Sequence, residues 1–293
     1  MIISGKDCKY TIRYTIDSIV YALKHSGLIK GSEVIVVAGD NGTYGSSIET
    51  LKTYSGLEYR VYRDLGRSLS YSRLIGYRVS RGKYIFFLDG DMMVSPKYFI
   101  RSLEALRECD LVAPLTKTIY LDKSSKLHSR LETIVSTLYS GSGVVEFSSP
   151  ARIYRREVLE KLGGYPIHSR YFCEDRLTTV LAVRKGYKYC FRHDIVIYKI
   201  EAGGLRSIIS KYRRYGYGIV CDLDSIGREA LKKYILARRL TYINIFYPIQ
   251  SILYTVYSLA YTGEGIDILP WKWFLDLNML IGEIKGLTSR CKR

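Results

Sequence analysis

The 293-residue sequence lacks most of the short motifs that identify a nucleotide, metal or nucleic-acid site. It contains no G-x-G-x-x-G or G-x-x-x-x-G-K-[ST] loop, which argues against dinucleotide-binding and P-loop proteins. Its six cysteines form no C-x-x-C pair, so neither a zinc site nor a disulfide framework is indicated, and we expect mostly reduced thiols. No helix-turn-helix, zinc or RNA-binding signature is present, so we expect no nucleic-acid partner.

Acidic residues are also scarce, because 28 Asp and Glu oppose 45 Lys and Arg. The net charge of +17 favours polyanionic partners, which include nucleic acid, an anionic membrane surface and phosphate-bearing substrates. The N-terminus has no charged region followed by a long apolar run, so we expect no secretory signal. With 47% hydrophobic and 25% charged residues, the chain has the composition of an ordinary folded protein.

Short apolar runs alternate with helical patterns through the first 115 residues. We predict buried strands at Met1–Ser4, Val34–Val37, Tyr59–Tyr62, Lys83–Leu88 and Leu111–Ala113. We predict helices that start near Ile12, Ser68 and Pro96, and a polar helix with Ile48 and Leu51 after a loop at Ala38–Gly42. Such alternation is typical of βαβ units and a largely parallel sheet. Residues 116–149 are rich in Ser, Thr and Tyr, and we expect a loop or a helix over the site there.

The most informative stretch is the strand Lys83–Leu88, which ends in Asp89-Gly90-Asp91. Open α/β sheets bind their ligands at the carboxyl ends of their strands. Two carboxylates one residue apart offer hard oxygen ligands that suit Mg²⁺ or Mn²⁺, and such a cation can neutralise a diphosphate. The alternative is that Asp-Gly-Asp is only a polar turn after a strand.

A second acidic pair, Glu174-Asp175, stands at the start of a predicted helix. Carboxylates are stabilised near helix N-termini, so one interpretation is a structural cap. The functional interpretation is a general base at the mouth of the same cleft.

Further motifs lie in a fixed order around these two pairs. In chain order they are Asp40–Thr43, Ser70–Gly76, Arg81–Ile85, Leu88–Asp91, Tyr154–Arg156, Gly163–Tyr165 and Glu174–Asp175. This set resembles the inverting nucleotide-sugar glycosyltransferases with the GT-A fold, in particular family 2. The resemblance covers roughly residues 1–217 and implies a Rossmann-like, mostly parallel sheet flanked by helices.

The resemblance also implies roles for individual residues. Asp175 would be the catalytic base, and Glu174 beside it would bind substrate. Asp40 would contact the nucleoside. Asp91 would bind Mn²⁺ or Mg²⁺ as the DXD metal ligand, and Asp89 would lie near the ribose or the metal.

Cations complete the predicted site. Arg73 is a candidate contact to the diphosphate or nucleoside, and so are Arg213 and Arg214, for which a solvated helix face is the alternative. Lys199 stands where many relatives have a metal-binding His, so it would repel the metal but could pair with phosphate. His193 lies close by in sequence and could substitute as a metal ligand, although a lone His beside a strand is more often structural.

The C-terminal part differs in character, because residues 240–263 contain no charged side chain. That length could span a bilayer, which needs about 20 apolar residues. Asn244, Pro248 and many Tyr favour helices on the membrane surface instead, and a basic flank upstream suits anionic lipid. Packing on the catalytic domain or a dimer interface is the remaining alternative.

We therefore predict a GT-A glycosyltransferase domain over residues 1–220 and a helical, membrane-associated region over residues 221–293. The predicted enzyme is metal-dependent and inverting, and moves a sugar from a nucleotide-sugar donor to a hydroxyl or phosphate acceptor, such as a lipid-linked glycan. The expected location is the cytoplasmic face of the cell membrane. The alternatives are a non-catalytic relative that binds nucleotide-sugars or carbohydrate, and a basic nucleic-acid-binding protein.

Overall fold

The computed structural model describes residues 1–64, 68–120, 151–165, 174–201, 204–226, 229, 232 and 268–289. The chain divides into two compact units. The described residues up to 201 belong to the first unit, and those from 204 onward belong to the second. The sequence-predicted boundary after residue 220 falls inside a helix of the second unit.

The first unit is built on a sheet of eight strands. Their bounds are β1 Ile2–Gly5, β2 Glu33–Ala38, β3 Glu58–Arg63, β4 Tyr84–Asp89, β5 Met92–Val94, β6 Leu111–Tyr120, β7 Arg152–Arg155 and β8 Tyr189–Glu201. The order across the sheet is β3-β2-β1-β4-β7-β6-β8-β5. The sheet is mixed: β3, β2, β1 and β4 are parallel, whereas β7 and β5 run antiparallel to their neighbours.

Six described helices flank this sheet. Their bounds are α1 Ile12–His25, α2 Asn41–Lys52, α3 Leu69–Val79, α4 Tyr98–Glu108, α5 Arg156–Lys161 and α6 Glu174–Arg184. The helical spacing of apolar residues in α1 correctly predicts most of its buried face, which includes Ile12, Ile16, Ile19, Val20 and Leu23. The central strands are buried on both faces, as their uninterrupted apolar runs indicate.

Helix α3 approaches the sheet unusually closely at Gly76. A Cβ at this position would collide with the side chain of Ile2 on β1. Glycine therefore lets the helix backbone lie directly on the first strand. This contact positions the site, because α3 also carries Arg73.

The structure differs from the sequence-based expectations in several segments. Helix α2 begins directly after Asp40, where we expected a loop, because Asp40 caps it. The strand expected at Leu111–Ala113 continues to Tyr120, since it pairs along β8 over that whole length. The strand β5 was not predicted, because three residues are too short to show a period. Residues 121–150 of the expected loop or helix lie outside the described residues.

The expectation of mostly reduced thiols is wrong for three cysteines. Cys109 and Cys190 form a disulfide across 81 residues, and Cys221 is also disulfide-bonded. Cys109 ends α4 and Cys190 lies near the start of β8, so strand pairing brings two distant residues together. Cys8 is a free thiol.

The described part of the second unit is a pair of helices, α7 Leu205–Ile226 and α8 Ile268–Thr288. They touch backbone to backbone: a Cβ at Gly216 would collide with Met279, and one at Gly282 would collide with Arg213. Arg213 Nε donates a hydrogen bond of 2.9 Å to Asn278 Oδ1 across this contact. Among the described residues, no helix has both the length and the apolar character that a membrane crossing requires. The predicted membrane segment at residues 240–263 lies outside them.

Candidate active site

The strand ends that the sequence singles out meet at one edge of the sheet. Ser4 pairs with Asp89, and Gly5 pairs with Ala38. Because β1, β2 and β4 are parallel, their carboxyl ends lie side by side there. The segments that follow these strands carry Cys8, Asp40 and Asp91, which makes this edge the candidate site.

Asp40 holds two of these loops together. As the N-cap of α2, its Oδ1 accepts a 2.8 Å hydrogen bond from the backbone of Thr43. Its Oδ2 accepts bonds from the Thr43 hydroxyl at 2.6 Å and the backbone N–H of Asp7 at 2.7 Å. Partial burial raises the pKa of Asp40, but these hydrogen bonds outweigh it and leave the pKa below its ordinary value. The carboxylate is therefore ionised and fixed in place.

Asp89 is fixed by a buried cation. Arg73 Nη2 donates to Asp89 Oδ1 at 2.7 Å, and Arg73 Nη1 donates to the Tyr165 hydroxyl at 3.2 Å. The Tyr165 ring packs against Phe87 of β4, with 4.8 Å between the ring centroids. Helix α3 and strand β4 thus hold one carboxylate through a charge-assisted hydrogen bond, which is stronger than a neutral one.

Gly90 permits the close spacing of the two aspartates. Its N–H donates to Ser4 O at 2.9 Å, and its carbonyl accepts from Thr11 Oγ1 at 3.0 Å. A Cβ at Gly90 would lie 3.1 Å from Cys8 Cβ and from Ile12 Cδ1, so a larger residue would crowd α1. The Asp91 carbonyl accepts from Ile200 N at 2.8 Å, which ties this turn to the end of β8.

The pKa of the Cys8 thiol at this edge is changed by burial and by the nearby aspartates. Burial, together with the charges of Asp91 and Asp89, raises the pKa of its thiol to about 12. The thiol therefore stays protonated at neutral pH. Its position follows from the end of β1 at Gly5, a signal that sequence reasoning did not use.

Lys199 lies on the strand that pairs with the segment after the aspartate turn. It pairs with Met92 in the antiparallel ladder of β5 and β8, one residue after Asp91. Its Nζ lies 3.8 Å from Glu201 Oε2, and both side chains are largely buried. Glu201 was missed from the sequence because no motif marks it. By contrast, His193 is exposed six residues earlier on β8, where its ring packs edge-on against Phe191.

Asp175 occupies the first turn of α6 and is buried. Its carbonyl accepts a 2.8 Å bond from Thr179 Oγ1, to which buried Arg152 donates at 3.1 Å. Burial raises the pKa of Tyr154 to about 12, while the Arg152 cation lowers it and the Asp175 charge raises it. Asp175 and Arg152 therefore lie in one electrostatic neighbourhood around the Tyr154 phenol.

Buried Arg73 lies within electrostatic range of both Tyr154 and the aspartate pair. Arg73, which binds Asp89, also lowers the pKa of Tyr154 through its charge. Sequence reasoning missed Arg152 and Tyr154 as part of the site. A positive charge inside an apolar strand was the available signal for Arg152, since such residues are rarely fully buried without a partner.

Three predicted residues are not joined to this site by the described contacts. Glu174 begins α6, but its side chain lies outside those described. Arg213 and Arg214 are exposed on α7 in the second unit.

Comparison with known proteins gives a family and a fold. The family model described as "Glycosyl transferase family 2" matches residues 2–163. The mannosyltransferase PcManGT from Pyrobaculum calidifontis, in complex with GDP-Man and Mn²⁺, has a similar structure at 15% identity and a TM-score of 0.67, covering 98% of this chain and 86% of that one. S. aureus TarS 1-349 in complex with UDP-GlcNAc is similar at 14% identity and a TM-score of 0.53, covering 99% and 90%.

Proposed function

Because the chain belongs to glycosyl transferase family 2 and has a GT-A-like fold, we propose that it transfers a sugar from a nucleotide-sugar donor to a hydroxyl or phosphate acceptor. The proposed reaction inverts the anomeric carbon and is assisted by Mn²⁺ or Mg²⁺. The observation that carries it is the convergence of Asp40, Asp89 and Asp91 at one sheet edge, with Arg73 fixing the middle carboxylate. The ligands of PcManGT and TarS support a nucleotide-sugar donor.

The carboxylate oxygens at this edge fit a divalent cation that also binds the phosphates of the nucleotide-sugar. Asp89 and Asp91 provide hard oxygens, but no group of three or more His, Cys, Asp and Glu within the described ranges could hold a metal. Mg²⁺ commonly binds through one or two carboxylates plus substrate phosphates, and this arrangement needs no more. When bound, the cation would neutralise charge on the departing diphosphate. We therefore propose that metal and donor bind together.

Asp175 is the proposed base. The acceptor hydroxyl gives its proton to the Asp175 carboxylate as its oxygen forms a bond to the anomeric carbon. The bond from that carbon to the diphosphate oxygen breaks at the same time, and its electron pair leaves with the nucleoside diphosphate. A single displacement of this kind inverts the configuration.

The protein's own cations would share the charge of the diphosphate. We propose Lys199 as a phosphate contact, which is supported by its pairing opposite Met92 next to the aspartate turn and by its ion pair with Glu201. Asp40 orders the loops that would receive the nucleoside. We keep Arg213 and Arg214 as proposed contacts to the donor.

Thermal shift measurements with UDP, GDP, CDP and dTDP, each with Mn²⁺ or EDTA, test this proposal. A ligand that binds only the native state raises the melting temperature. We expect one nucleotide to do so more strongly with Mn²⁺, and Asp91→Asn to abolish the metal-dependent part. Asp194→Asn, an exposed acid on β8 outside the site, is the matched control. The same shift in Asp91→Asn as in the wild type would contradict the metal site.

A further inference from the structure

Helix α8 has two faces of opposite character. The face toward α7 is made of small and polar residues, including Asn278, Gly282 and Gly286, and it allows backbone contact between the helices. A Cβ at Gly286 would lie 3.0 Å from Val220 Cβ, so this contact leaves no room for larger residues. Exposed large apolar side chains recur on the opposite face of the helix.

The outer face of α8 carries a continuous row of large apolar side chains. These residues, which we call the outer stripe, are 40% to 55% exposed and recur at helical spacing: Trp273, Leu277, Ile281, Ile284 and Leu287. A surface helix of a globular domain normally turns such a row toward the core. A contiguous exposed row of this size marks a surface that binds something apolar.

The exposed charges of the second unit indicate which apolar partner fits. Among the described residues of the second unit, the exposed basic side chains are Arg206, Arg213, Arg214, Lys232 and Lys285. Among the acidic side chains described in this unit, Glu229 is the exposed one. A second copy of this chain would bring like charges together, whereas an anionic lipid surface complements them.

We propose that the outer stripe of α8 docks on an anionic bilayer surface. The helix lies in the plane of the interface, with the stripe at the boundary between head groups and acyl chains and exposed Lys285 of the same helix among the head groups. Trp273 lies at the N-terminal end of the stripe, and indole rings favour this boundary. The proposal goes beyond sugar transfer and does not depend on it.

The chain contains its own probe for this docking. Its two tryptophans, Trp271 and Trp273, both lie on the first turns of α8. The full chain is titrated with two kinds of vesicle. One is pure phosphatidylcholine, and the other also contains roughly 30% phosphatidylglycerol, an anionic lipid that attracts basic helices. We expect the emission of Trp271→Phe, in which Trp273 is the remaining indole, to shift to the blue and to be quenched by brominated acyl chains, only in anionic vesicles.

Paired substitutions locate the docking surface. In cosedimentation with the anionic vesicles, Leu277→Lys combined with Ile284→Lys is expected to weaken binding at least tenfold. Tyr14→Lys is the control, because Tyr14 is 56% exposed on α1 in the first unit, and it should bind like the wild type. Melting temperatures confirm that each variant is folded.

Three results would overturn the proposal. The first is wild-type protein that stays in the supernatant with anionic vesicles. The second is equal binding by the paired Lys variant, which would place the contact elsewhere in the chain. The third is a wild-type dimer in sedimentation equilibrium that the paired Lys variant converts to a monomer, which would make the stripe an interface between copies.

Discussion

The two edges of the sheet in the first unit use charge differently. At the amino edge, opposite charges pair across strands: Glu33 of β2 binds Arg60 of β3 and accepts bonds from the backbone of Arg81 and Gly82. At the carboxyl edge, Asp89 and Asp91 lie on one turn, and their charges add to burial, the larger cause, in raising the pKa of Cys8. Paired charges stabilise a fold, while concentrated ones attract a cation. Substitutions at the two edges should therefore affect different properties.

The largest expected effect is on turnover at the carboxyl side. We expect Asp175→Asn to lower sugar transfer by about 10²–10⁴-fold, because a general base contributes that much. Donor binding should remain, since Asp175 is proposed to act on the acceptor. Transfer rates and donor thermal shifts measure the two properties separately.

Unchanged transfer by folded Asp175→Asn would show that another group takes the proton. Donor binding by the wild type without any transfer, across a panel of acceptors, would instead favour the non-catalytic alternative.

At the amino edge, the Cys109–Cys190 disulfide should affect stability and leave turnover intact. A disulfide that closes a long loop contributes about 2–4 kcal/mol to the free energy of unfolding. We expect the Cys109→Ala, Cys190→Ala double variant to unfold at lower denaturant concentration with unchanged kcat. Reduction of the wild type with dithiothreitol, which also breaks the Cys221 disulfide, should lower the midpoint at least as much. Equal midpoints for the oxidised and reduced wild type would contradict the prediction.

Lys199 offers a further test of how the carboxyl edge uses charge, because it is a cation at an edge rich in carboxylates. We expect Lys199→Met to weaken nucleoside diphosphate binding in EDTA by about 10–100-fold, since a charge-assisted bond contributes about 1.5–3 kcal/mol. Adding Glu201→Gln controls for the carboxylate that loses its partner. If the double variant bound as well as the wild type in isothermal titration, Lys199 would not contact phosphate.

The smallest effect should come from Glu33→Gln. Burial raises the pKa of Glu33, but hydrogen bonds from the Arg81 backbone and the Arg60 side chain leave it below its ordinary value. Its stabilising contribution of about 1–2 kcal/mol is thus present at neutral pH and lost as pH falls through the folded pKa. Urea unfolding of both proteins at pH 7 and pH 3 should show the difference shrinking in acid. If the stability difference between the two proteins were the same at both pH values, or if Glu33→Gln lost turnover, the proposed contrast between the two edges would be wrong.

The sequence predicts the family and much of the central sheet for physical reasons. Buried parallel strands read as apolar runs, and α1 has a clear helical period, so these elements were found. The family 2 and GT-A assignment is confirmed. The antiparallel strands, the extra length of β6 and the Cys109–Cys190 disulfide depend on contacts between distant residues, which one sequence does not display.

The candidate site was predictable in part. Asp40, Asp89 and Asp91 are brought to one edge because each follows or ends a strand, and Lys199 lies two residues before the end of β8. Their roles, and that of Asp175, stay predictions. Arg152 was not found, because its burial among tyrosines is a property of packing.

Gly76 affects the proposed site through the packing of α3 on β1. It lies one turn after Arg73 in α3, on the same face of the helix, and its lack of a side chain sets how deep the helix sits on β1. Any larger residue there would lift α3 and withdraw the guanidinium from Asp89. A larger residue at a position with no polar atom would therefore disturb the Arg73–Asp89 pair of the proposed donor site.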